Sequence, residues 1–112
     1  MQMKLLPQRE LEIMKALWEL ARPVSAAELN NYMQKGWRVQ TLITHLARMV
    51  EKEVVILEHK EAVRGARYFY TPAVEKQAYK DWATRAFVES IHDGSVESLQ
   101  DSLRASGLLS EN

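Results

Sequence analysis

Trp37-Arg38-Val39-Gln40-Thr41-Leu42-Ile43-Thr44-His45-Leu46-Ala47-Arg48-Met49 decides how the rest of the chain is read. Advancing about 100° per residue around a helix from Leu42 puts Leu46 and Met49 within roughly 40° of it. Gln40, Thr41, Thr44, Ala47 and Arg48 fall on the opposite half. A helix from about Arg38 to Lys52 therefore buries its aliphatic groups and turns hydroxyl, amide and guanidinium groups outward. Short side chains of that kind let a helix approach base edges in a DNA major groove, and Arg48, one turn on, reaches a phosphate or a guanine.

The flanking segments give this helix its setting. Upstream, Glu10, Ile13, Met14, Leu17 and Trp18 recur at helical spacing, so a first helix covers residues 8–21, with Pro7 at its start and Arg22-Pro23 at its end. Ser25 and Glu28 have the spacing of a capping box, which opens a short second helix over about 26–34, with Gly36 placed to end it. Downstream, Val54-Val55-Ile56-Leu57 and Arg67-Tyr68-Phe69-Tyr70 read as two strands. The basic residues Lys60, Arg64 and Arg67 lie around the tip of the hairpin between them, and Thr71-Pro72 closes it. Three helices followed by a basic hairpin is the order of a winged helix-turn-helix. The fold class expected is mainly α, with a small antiparallel β wing.

After Pro72 the pattern changes. Val74, Ala78, Tyr79, Trp82, Ala86 and Phe87 mark a long helix reaching Ile91, and Asp93-Gly94 breaks it. Ser95 caps a further helix striped by Val96, Leu99 and Leu103. These two helices carry large apolar residues with little of their own chain to cover them. The expected organisation is a DNA-binding domain over 1–72 and a helical dimerisation region over 73–112, with Tyr79, Trp82, Ala86, Phe87, Leu99 and Leu103 at the seam between two copies.

Composition bounds the function. The chain has 112 residues, 46% hydrophobic and 27% charged, which excludes disordered and fibrous classes. With no cysteine there is no disulfide scaffold, thiolate metal site or cysteine nucleophile. No apolar run approaches the roughly 18 residues of a membrane span, and no secretory signal opens the chain, so a cytoplasmic location at the nucleoid is expected. The formal charge is zero, but residues 35–70 hold seven bases against four acids and residues 71–112 four against seven. A phosphate backbone responds to that local excess rather than to the total. His45, His59 and His92 are scattered, so no metal or other cofactor is expected; His45 reads as a packed, hydrogen-bonded residue at the edge of the core. Glu51 with Glu53 and Asp93 with Glu97 look like helix-end charges, and no phosphate loop or nucleophile elbow is present, which leaves an enzyme little to stand on. No small-molecule ligand is evident. The alternative from another class is a winged-helix module whose exposed helix face binds a protein, but such a face is expected to be apolar or acidic, whereas this one is hydroxyl-bearing and basic.

Three ordered motifs together carry a resemblance. Residues 6–18, Leu-Pro-Gln-Arg-Glu-Leu-Glu-Ile-Met-Lys-Ala-Leu-Trp, the segment 37–49, and Arg67-Tyr68-Phe69-Tyr70-Thr71-Pro72 resemble the first helix, recognition helix and second wing strand of the BlaI/MecI family of penicillinase repressors. The resemblance, over about residues 5–105, implies a bacterial transcriptional repressor that binds double-stranded operator DNA as a homodimer joined through its C-terminal helices. It implies that Gln40, Thr41, Thr44 and Arg48 face DNA. For members near β-lactamase genes it also implies inactivation through a membrane sensor protease system; the paired cysteines of the copper-responsive branch are missing here. The family's Ser-Pro-Lys after the tryptophan is Arg38-Val39-Gln40 in this chain, and its Lys-Gly after the recognition helix is Lys52-Glu53.

Overall fold

A computed structural model describes residues 5–60 and 68–110. The chain forms two compact units, one up to Lys76 and one from Gln77 onward. It is mainly helical with a two-stranded antiparallel sheet, as a winged helix requires.

In the first unit, α1 (Gln8–Leu20), α2 (Ala26–Met33) and α3 (Val39–Glu51) pack around a core in which Ile13, Met14, Leu17, Leu29, Leu42, Leu46 and Met49 are completely buried. These are the residues that helical spacing places on the inner faces. Glu10 heads the stripe of α1 and is itself buried; its carboxylate accepts from the Lys52 ammonium at 2.6 Å, which ties the start of α1 to the end of α3. Burying a carboxylate is tolerable only with such a partner.

The helix ends are made locally. The capping box is present in both directions: the Glu28 amide donates to Ser25 Oγ and the Ser25 amide donates to the Glu28 carboxylate, each at 3.2 Å. Gly36 is not what ends α2. Gln34, with φ of 54°, takes the left-handed cap position, and its amide donates to the Asn30 carbonyl. At the end of α3 the Val54 amide reaches back to the Met49 carbonyl and the Glu53 amide to Val50, a Schellman pair with Glu53 at φ of 63°. The buried Val54 then anchors the chain as it turns into the sheet.

The strands β1 (Val55–His59) and β2 (Tyr68–Pro72) pair with Leu57 opposite Tyr70 and His59 opposite Tyr68. The sequence does not announce a third participant: Val24, between α1 and α2, exchanges both backbone hydrogen bonds with Tyr70, at 2.8 and 3.2 Å. That bridge fixes the hairpin to the helices. Residues 61–67, with Arg64 and Arg67, lie outside the described residues.

The second unit has α4 (Lys76–Ile91), whose first residue closes the first unit, and α5 (Val96–Ala105). The expectation that Val74 opens α4 is corrected: Val74 is buried before the helix starts, and its carbonyl accepts from Trp18 Nε1 at 3.0 Å. Within this unit the buried His92 joins the helices, with Nδ1 at 2.9 Å from Ser98 Oγ and its ring edge-on to Phe87 at 5.3 Å. Ser95 Oγ accepts from the Ser98 amide and caps α5, as its position suggests. Phe87, Ile91, Val96 and Leu108 are exposed, whereas Trp82, Ala86, Leu99 and Leu103 are half-buried and Tyr79 is buried.

Candidate nucleic-acid interface

The outward side of α3 carries two strips with different chemistry. Gln40, Thr44 and Arg48 follow one another four residues apart, so they stand on one line down the helix, and all three are exposed. Thr41, beside them, is half-buried. Arg38 is exposed at the N-cap, where its side chain makes no capping bond. The second strip, Val39, Ile43, Ala47 and Val50, is apolar and faces the sheet and the start of α2. Dividing the helix into a core half and an outward half puts Ala47 with the polar residues; the structure places it in the apolar strip instead.

Thr44 Oγ1 donates to the Gln40 carbonyl at 3.0 Å. With that proton committed, the oxygen presents lone pairs and the side chain its methyl group to anything that approaches. Glu51 stands on the same line about 16 Å beyond Gln40, given a rise of about 1.5 Å per residue. Its carboxylate lies beyond Arg48, so the stretch of this face suited to a polyanion runs from Arg38 to Arg48.

What holds α3 in place is a set of contacts around Trp37. Asn30 Nδ2, on α2, donates to the Trp37 carbonyl at 2.9 Å. The Trp37 ring lies 5.9 Å from that of His45, and the Arg9 guanidinium from α1 sits 5.4 Å from its centroid. Lys35, in the same turn, comes within 3.5 Å of Glu12 on α1. Arg9, Asn30 and Trp37 thus fix the helix-turn-helix angle. Sequence reasoning passed over Arg9 and Asn30, because only the tryptophan beside the helix start gives a signal. His45 packs as expected but is not hydrogen-bonded as expected: its buried Nδ1, like Asn30 Oδ1, has no partner among the described residues.

In the hairpin, Lys60 is exposed at the end of β1, with its ammonium 5.5 Å from the centre of the Phe69 ring. That contact directs a cation on the wing without neutralising it. At the start of α2, the Ser25 amide and then the Arg22 guanidinium hold the Glu28 carboxyl below its ordinary value. The Tyr32 hydroxyl donates to Glu19 at 3.0 Å, which holds its proton above the usual phenol range.

A family model described as penicillinase repressor matches residues 6–112, nearly the whole chain. No curated protein matches the chain.

Proposed function

The chain belongs to the penicillinase repressor family, a regulatory rather than enzymatic family of transcriptional repressors, and on that premise we propose that it binds a near-palindromic operator as a homodimer. In this reading α3 enters the major groove with its N-terminal half, where Gln40, Thr41 and Thr44 read bases. Arg38 and Arg48 hold phosphates beside them, and the wing, with Lys60, Arg64 and Arg67, contacts the backbone alongside. The repressor works in the cytoplasm, at the nucleoid, through occupancy of the operator.

The observation that carries the reading is the strip of Gln40, Thr44 and Arg48 on a helix whose other exposed strip is apolar. A helix built only for solubility has no reason to keep these two chemistries apart. The polar strip offers no apolar anchor of the kind that protein interfaces use at their centre, which disfavours a protein partner there. The Thr44 oxygen, its own proton given to Gln40, suits the amino group of cytosine or adenine, and its methyl suits that of thymine. Exposed apolar residues of the second unit, Phe87 among them, favour a second copy of the chain as their cover. A membrane sensor protease system as the inactivating partner belongs to the same proposal, by family membership.

Selection of duplexes from a random pool by the purified full chain tests this. The expected product is a shared motif with inverted half-sites one helical turn or a multiple apart. A pool that stays random after repeated rounds would contradict sequence-specific repression.

A further inference from the structure

We propose that the cleft between α2, α3 and the sheet is a binding site for one small, uncharged, largely aromatic or aliphatic molecule. The cleft measures about 640 Å³ and is walled by Ala26, Val39, Ile43, Ala47, Leu57 and Tyr68. That volume falls within the roughly 300–1,000 Å³ of sites for drug-sized ligands. Three elements meet there, so the walls do not depend on a single loop.

The chemistry of the lining selects the occupant. Among the described residues no charged side chain lines the cleft, so they offer neither a phosphate nor a carboxylate a counter-charge. Ser25 accepts from the Glu28 amide but keeps its own hydroxyl proton, so among the described lining residues it and the phenols of Tyr68 and Tyr70 are the side-chain groups that can hydrogen-bond a ligand. Val39 is 40%, Leu57 43% and Tyr68 55% exposed around this one concavity. Single exposed apolar residues are ordinary, but several around one hollow mark a binding surface. Of two other clefts of this unit, one is lined by Glu12, Lys15, Glu19 and Lys35, and the other, apolar at Leu17, Trp18 and Val74, is bordered by Glu75 and Lys76. The apolar surface also stops abruptly, because Gln40, Thr44 and Arg48 take over on the next strip of α3. It is therefore a pocket for one molecule rather than part of a broad protein interface, which needs roughly 800 Å² on each partner.

The test uses the full chain and the neutral fluorophore N-phenyl-1-naphthylamine, whose emission rises in apolar surroundings. Saturable binding of one probe per chain is expected. Ala47→Glu should weaken it by about tenfold or more, and so should Ala47→Trp, which takes up part of the cleft without adding charge. Ile91→Ser, at an exposed apolar residue of the second unit, should leave it unchanged, and thermal melts followed by circular dichroism confirm that each variant is folded. Three outcomes overturn the proposal: no saturable binding; binding indifferent to both Ala47 variants; or binding that falls as the chain is concentrated, which assigns the cleft to a second copy. The measurement contains no DNA, so its failure is distinguishable from failure of the repressor reading.

Discussion

Thr44 and Lys60 separate reading from holding. Thr44→Ala removes the oxygen and methyl that the proposed reading sets against base edges, so discrimination between selected and random duplex should fall by roughly 1–3 kcal/mol. Lys60→Ala removes a charge that attracts any phosphate backbone, and both duplexes should weaken alike. Parallel titrations of the two duplexes by fluorescence anisotropy check this; identical behaviour of the two variants would remove the distinction between recognition helix and wing. Glu53 allows a prediction that needs no DNA. It holds the left-handed position after α3 at φ of 63°, where the corresponding position after α5 has Gly107 at 76°. A side chain with a Cβ is strained there, and glycine is not. Glu53→Gly should raise stability by about 0.5–1 kcal/mol, seen as a higher urea midpoint at unchanged slope.

Elements were legible in the sequence to the extent that their own spacing or capping encodes them. The three helices of the first unit follow from apolar residues three and four apart, and the start of α2 from Ser25 and Glu28. Val24 pairing with Tyr70 was not legible, because one bridged residue leaves no alternation to detect. Val74 misleads because it falls four residues before Ala78, a helical interval that packing near Trp18 overrides. The apolar strip of α3 was hidden by treating the helix as two-sided, whereas it has three surroundings: core, sheet and solvent. At this scale the capping box gives a pH dependence. The Glu28 carboxyl is lowered in the folded state by the Ser25 amide and Arg22, so its contribution is present above the ordinary carboxyl value and is lost as pH falls through the lowered one. The Glu28→Gln variant should therefore differ in stability from the natural chain at pH 7, begin to approach it below the ordinary value of 4.5, and converge with it only below the lowered one. Ser25→Ala should cost about 1 kcal/mol. The Glu10–Lys52 tie is more consequential. Lys52→Ala leaves a buried carboxylate without its partner and should cost about 2–3 kcal/mol, less than a fully buried pair because the lysine side chain is 31% exposed. Replacing both partners, as in Glu10→Leu with Lys52→Met, should recover most of that loss in the same melts.

For the whole molecule, charge is distributed so that a neutral chain can still attract DNA. The excess of bases lies in residues 35–70, which contain α3 and the hairpin, and the excess of acids in the residues beyond. The proposed homodimer would double the basic surface presented to one duplex, and avidity would follow: a chain ending at Lys76 should keep the core of the first unit, bind half-sites as a monomer, and lose about 10² or more in affinity for the full site. The salt dependence of full-chain binding to its selected duplex tests the central claim most directly. If Arg38, Arg48, Lys60, Arg64 and Arg67 meet phosphates, the logarithm of the association constant should fall with the logarithm of salt concentration, with a slope of about −4 to −5 per bound chain. A flat titration between low and physiological salt would contradict the assignment of α3 and the wing to DNA.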